Sequence, residues 1–270
     1  MPARLGAVDI LWITLDTLRY DVAVQEWASG GTPFLRALVP AGWERRHTPA
    51  SFTFAAHASF FAGFLPTPAA PGPHARPFAL AFAGSETIGP ATVVFDAPDI
   101  PAGLRAAGYH TACIGGTGFF NRETPLGNVL PAMFDEAHWD PSLGVTDPGS
   151  TGHQVDLALR IQQDRARLFL FINVSAIHQP NRHHLPGATH DDVHTHAAAL
   201  RYVDGQLRRL FDGLTRPTAW ILTSDHGTCY GEDGFTGHRI GHPVVWTVPY
   251  AEGLWMPAGE PTPNPVGRAG

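Results

Sequence analysis

Val8-Asp9-Ile10-Leu11-Trp12-Ile13-Thr14-Leu15-Asp16 is a nearly unbroken apolar run that stops on a carboxylate. Such a run, without strict alternation, reads as a strand covered on both faces, as at the centre of a parallel sheet. Two further runs share its form. Leu168–Val174 leads into Ser175-Ala176-Ile177-His178, and Ala219-Trp220-Ile221-Leu222-Thr223 leads into Ser224-Asp225-His226-Gly227. Between them lie helical signals. Pro33 opens a short helix with Thr32 as N-cap, residues 99–108 form a helix closed by Gly108, and residues 153–167 form another. Residues 194–214 carry a helical rhythm at Ala198, Leu200, Val203, Leu207, Leu210 and Leu214. A strand over residues 109–114 precedes Gly115-Gly116-Thr117-Gly118, whose spacing fits a plain turn better than a phosphate cradle. Residues 66–90 read as irregular, and residues 120–150 as an insertion rich in turn formers.

Strands alternating with helices predict an α/β fold, a three-layer α/β/α sandwich around a mostly parallel sheet. One domain over residues 1–256 is expected, followed by a Pro/Gly-rich tail over 257–270. Ligands of open parallel sheets bind outside the carboxyl ends of the strands. Asp16, the 175–178 segment and Asp225-His226 are therefore expected at one edge. An Asp-His pair there presents a carboxylate and an imidazole, both metal-ligating groups, while Gly227 lets the backbone turn away.

The 270 residues, 44% hydrophobic and 16% charged, suit a soluble globular chain with a substantial core. A formal charge of −6 argues against a nucleic-acid surface, and no stretch is apolar and long enough to span a bilayer. Neither a nucleic acid nor a membrane is expected as a partner. Asp9 interrupts the first apolar run and no small-residue cleavage site follows, so no signal peptide is read. With only Cys113 and Cys229, no disulfide framework forms. The expectation is a cytoplasmic protein with free thiols. All 18 basic residues are arginine. A mechanism built on a catalytic lysine is excluded.

Three stretches resemble the sulfatase/alkaline-phosphatase-like superfamily of metal-dependent hydrolases. The first is the opening strand through Asp16-Thr17-Leu18-Arg19-Tyr20-Asp21. The second is Thr48-Pro49-Ala50-Ser51-Phe52-Thr53-Phe54-Ala55-Ala56-His57-Ala58-Ser59-Phe60-Phe61-Ala62-Gly63. The third is Thr223-Ser224-Asp225-His226-Gly227, followed by Gly231-Glu232-Asp233-Gly234 and Gly237-His238. The resemblance implies an alkaline-phosphatase-like core in which Asp16, Asp225 and His226 hold a metal, with His238 as a late ligand. Aligning the sulfatase Cys-x-Pro-Ser-Arg pattern by the small residues and glycine of 58–63 puts Thr53 at the nucleophile and His57 where the arginine falls. His178 approximates a middle-strand histidine and is, with His238, a candidate proton donor. Val174 stands where an aspartate would precede it, and Thr17 stands where a second aspartate would follow Asp16.

What this implies is hydrolysis of a phosphoric ester, mono- or diester, through a phosphothreonine. The substrate is a small anionic ester, and the cofactor one or two divalent ions. Zn²⁺ or Mn²⁺ is favoured by the mixed carboxylate and imidazole ligands, while a carboxylate-rich site also takes Mg²⁺ or Ca²⁺. A sulfuric-ester hydrolase is disfavoured by the missing lysines and by the position of both cysteines. Transfer of a phosphoryl-linked group to another acceptor is a second reading, and a non-catalytic metabolite-binding or scaffolding relative a third. Bland readings stand beside these. Thr53 is equally an N-cap, His57 a core histidine and Asp16 a turn cap. His183, His184, Asp191, His194 and His242 are weak candidates for a second metal.

Overall fold

The computed structural model describes residues 6–63, 99–165 and 167–257. The expected irregular stretch at 66–90 and most of the expected tail lie outside the described residues. The strands are β1 (Asp9–Leu15), β2 (Glu44–His47), β3 (His110–Ile114), β4 (Glu136–His138), β5 (Leu168–Val174), β6 (Thr218–Thr223), β7 (Cys229–Tyr230), β8 (Thr236–Gly237) and β9 (Thr247–Trp255). The helices are α1 (Tyr20–Ser29), α2 (Pro33–Leu38), α3 (Thr53–Ala62), α4 (Ile100–Ala106), α5 (Pro125–Val129), α6 (Ser150–Asp164), α7 (Val193–Asp212) and α8 (Pro243–Trp246). Seven strands form one sheet in the order β2-β9-β6-β1-β5-β3-β4, and β7 and β8 form a separate antiparallel ribbon. β6, β1, β5, β3 and β4 run parallel, and β9 joins antiparallel to both β6 and β2.

Side-chain alternation divides the core into two layers, as the pleat requires. Leu11, Ile13 and Leu15 of β1 and Leu168, Leu170, Ile172 and Val174 of β5 face a cluster that includes residues of α1, α2, α6 and α7. Phe169 and Phe171 of β5 face the other way, with Phe61, Phe120 and Phe134. Residues 120–150 are therefore no mere insertion. They supply the edge strand β4 and bury Phe120, Leu130, Phe134 and Leu143.

Two local expectations change in detail. Thr32 makes no side-chain cap. The α2 N-terminus is instead capped from α7, where Asp204 accepts from Phe34 N and Leu35 N at 3.2 and 2.7 Å. α7 starts on a reciprocal capping box between Asp192 and Thr195. Gly116 packs close rather than cradling an anion, since a Cβ there would lie 2.1 Å from the Asn173 carbonyl oxygen. Both cysteines are buried and unpaired. Among the described residues no helix is long and apolar enough to cross a membrane.

Candidate active site

Because β6, β1 and β5 are neighbours and parallel, their carboxyl ends deliver Asp225-His226, Asp16 and the 175–178 segment to one place. Asp16, Asp225 and His226 are fully buried. One ligand atom from each lies within 4.8 Å of the others, a grouping that could hold a metal ion. Asn173 Nδ2 donates to Asp16 Oδ2 at 2.9 Å. Thr17 serves both carboxylates: its hydroxyl donates to Asp16 Oδ1 at 2.8 Å and its N–H to Asp225 Oδ1 at 3.1 Å. It does so from a left-handed backbone with φ of 70°, a conformation a β-branched residue rarely adopts.

Gly227 is required for room rather than for a left-handed turn. A Cβ there would fall 2.0 Å from Val244 O, and its N–H donates to Val245 O at 2.7 Å. The chain thus passes directly under α8, and this fixes His226. The His226 ring places Nδ1 2.9 Å from Gly227 O. A carbonyl only accepts, so Nδ1 carries the hydrogen and the Nε2 lone pair points into the site. Nε2 lies 3.2 Å from Thr53 Oγ1 and 3.4 Å from Asp225 Oδ2.

Thr53 is the first residue of α3, and no side chain caps that helix end. The threonine is therefore no N-cap. A helix N-terminus favours negative charge through its exposed N–H groups and dipole.

His57 is placed beneath the site rather than in it. Its Nδ1 donates to Thr53 O at 2.7 Å and lies 3.8 Å from Asp225 Oδ2. Its ring is enclosed by Phe60, Phe61, Phe120 and Phe171. His178 and His238 are half-buried. The His238 ring centroid is 4.5 Å from that of His226 and 5.6 Å from that of His178. Thr53, His178 and His238 all line a cavity of about 310 Å³.

The electrostatics fit a cation. Burial, together with the charge of Asp16, pushes Asp225 up to about 7. Burial also acts to raise Asp16, but His178, His226 and the Asn173 amide hold it below the usual carboxylate range. Asp225 Oδ2 is buried without a hydrogen-bond partner among the described residues. Two carboxylates and an imidazole lone pair converge, one oxygen unsatisfied, so the donor set suits a divalent transition ion.

His238, expected as a late metal ligand, is not among the three grouped residues, and the weaker second-metal candidates do not join them either. His183 lies tilted against His184, and His184 stacks on Tyr202. Asp191 accepts from Asn181 N and Arg182 N, and His194 is exposed on α7. His242 caps α8 and approaches Asp233. Of the residues missed in the sequence, Asn173 had a legible signal, a lone amide in a buried apolar strand. Thr17 had none, because its role depends on a positive φ.

The model for the family described as "Sulfatase" matches residues 9–252. No curated protein sequence matches the chain. Solved structures show the same fold at low identity. The C-terminal periplasmic domain of phosphoethanolamine transferase EptC from Campylobacter jejuni superposes with a TM-score of 0.63 and 11% identity, over 92% of this chain and 80% of that one. The corresponding EptC domain from Escherichia coli, solved in complex with Zn, gives 0.62 and 13%, over 95% and 75%. A protein of the alkaline phosphatase superfamily from Vibrio parahaemolyticus gives 0.51 and 18%, over 91% and 60%. With the family model spanning nearly all of the sheet and its strand-end residues, the chain belongs to the sulfatase family.

Proposed function

We propose that the chain is a metal-dependent hydrolase of phosphoric esters with Thr53 as nucleophile. The observation that carries this reading is the 3.2 Å approach of Thr53 Oγ1 to His226 Nε2, beside the unsatisfied Asp225 carboxylate and at the uncapped start of α3. Asp16, Asp225 and His226 would hold one divalent ion, with Zn²⁺ or Mn²⁺ best suited to the donors. Bound there, such an ion supplies Lewis acidity that lowers the threonine hydroxyl pKa and offsets phosphoryl charge.

The chain's own residues supply the rest. Thr53 Oγ1 gives up its proton to solvent and forms a bond to phosphorus as the P–O bond to the leaving group breaks, and α3 N–H groups orient the anion. Burial and the neighbouring His226 and His178 push His238 down to about 4. It is then neutral at pH 7, a weak base that orients the water whose oxygen later displaces Thr53 Oγ1 from phosphorus, the water's proton passing to solvent. Protonation of the leaving oxygen falls to His178. His57, hydrogen-bonded to the Thr53 carbonyl, acts as a positioning residue. Neither cysteine stands at the nucleophile, and no lysine exists to hold a sulfate, which favours phosphate over sulfate.

Transfer to an acceptor other than water is a second reading, favoured by the transferase name of the Campylobacter jejuni neighbour. The buried free thiols fit the cytoplasmic setting expected from the sequence, whereas the two EptC neighbours are periplasmic domains. Turnover of aryl phosphates, phosphodiesters and sulfate esters, measured with and without EDTA, tests the assignment. Phosphoester turnover abolished by EDTA supports it. Metal-replete protein that binds such esters without cleaving them would favour the non-catalytic reading.

A further inference from the structure

The cavity beside Thr53 has a chemistry of its own. At about 310 Å³ it sits at the lower end of the roughly 300–1,000 Å³ common for small-molecule sites. Phe119, Leu126 and Val145 give it an apolar lining. Phe119 is braced by Phe52 and Phe54, at ring-centroid distances of 6.5 and 5.7 Å. Among the described residues no aspartate or glutamate lines the cavity.

Arg239 is the one permanently charged side chain among the described residues that line it. That residue is tied to the nucleophile's own loop: its N–H donates to Ser51 O at 2.8 Å, two residues before Thr53. Its guanidinium lies 5.8 Å from the Phe52 ring centroid. The backbone is left-handed there, with φ of 68°, an outlier of the kind that collects at ligand clamps. Among the described residues no carboxylate pairs with this guanidinium. An unpaired arginine held next to Thr53 and facing a cavity is placed to take two oxygens of an anion in its planar fork.

We infer that this cavity selects phosphoesters whose organic group is compact, apolar and uncharged, and that Arg239 clamps their phosphoryl oxygens. The inference rests on the phosphoester reading of the Thr53 site. An ammonium-bearing headgroup is disfavoured on two counts. It would lose water against an apolar lining without a carboxylate to meet it, and it would face the charge of Arg239. The chain would thus differ in substrate from an enzyme that moves phosphoethanolamine, despite the shared fold.

Direct binding separates this inference from the hydrolase reading, because phosphonates bind without being cleaved. Calorimetric titration of the Zn²⁺-loaded chain with phenylphosphonate and with 2-aminoethylphosphonate is the test. Phenylphosphonate is expected to bind at least about tenfold more tightly. Arg239→Gln is expected to weaken phenylphosphonate about 10- to 100-fold, with Arg239→Lys recovering part of the loss. Leu126→Glu, at a position 37% exposed and so tolerant of charge, is expected to reverse the preference toward the amine. Equal affinity for the two phosphonates, or tighter binding of the amine by the unaltered chain, overturns the apolar selection. Unchanged affinity in Arg239→Gln overturns the clamp. Selective phenylphosphonate binding without turnover of any ester would leave the cavity's selectivity standing and remove the hydrolase reading.

Discussion

The Thr53 hydroxyl lies 3.2 Å from His226 Nε2 although 173 residues separate the two in the chain. Only the parallel sheet makes that contact available. β6 carries His226 to its carboxyl end, and α3 returns to the same edge with Thr53 as its first residue. The proposed chemistry depends on how firmly the groups around this pair are held.

Thr17 holds both carboxylates, so its hydroxyl is expected to matter to a metal that it never touches. Removing a group that orients metal ligands commonly costs about 10- to 100-fold in affinity. Thr17→Ala and Thr17→Gly should both weaken Zn²⁺ by that order in calorimetric titration. The glycine variant should also be the more stable of the two, since it relieves the positive φ. Unchanged Zn²⁺ affinity in both variants would exclude the positioning role.

Asp225 makes the stability of the metal-free chain depend on pH. Its folded pKa of about 7 lies above its ordinary 3.8. The folded state therefore keeps a proton that the unfolded chain has already released. The stability this contributes is complete below about pH 4 and is lost as pH rises through about 7. Burial that lowers His196 to about 3 acts in the opposite sense, costing stability as pH falls below the ordinary 6.5. The Tm difference between the metal-free chain and Asp225→Asn isolates the carboxylate, and the unaltered chain should lose ground between about pH 5 and 8. A difference flat across that range would contradict the account. Metal binding displaces the proton, so Zn²⁺ affinity should fall as pH drops below about 7.

Gly227 tests the close passage beneath α8. A single methyl in Gly227→Ala meets backbone rather than a movable side chain, and is expected to destabilise the fold by about 1–3 kcal/mol. A shifted midpoint in urea with an unchanged slope would register it. No shift would mean that the strand end is free to move.

The parts of this molecule legible in its sequence are those that burial writes locally. β1, β5 and β6 are continuous apolar runs, and the polar residues that end them are the candidate ligands. β9 was not legible, because Pro249 and Gly253 interrupt a segment that nonetheless pairs on both sides. α1 was not legible either: it begins three residues after Thr17, and the side chain of its N-cap residue, Arg19, makes no capping bond. Thr53, His57, His178 and His238 could be named as candidates, but their relation could not. Nothing near His57 in the sequence shows that Phe120 and Phe171 enclose it. Those contacts are set by strand order, which the chain specifies only through its tertiary packing.

The central claim is that Thr53 performs phosphoester chemistry at a metal held by Asp16, Asp225 and His226. Steady-state turnover of an aryl phosphate by the Zn²⁺-loaded chain, its EDTA-treated form and Thr53→Ala tests it most directly. Thr53 caps nothing, so the alanine variant should fold normally. The account predicts that EDTA abolishes turnover, that Zn²⁺ restores it, and that Thr53→Ala loses about 10³-fold or more in kcat. Turnover in Thr53→Ala equal to that of the unaltered chain would contradict it.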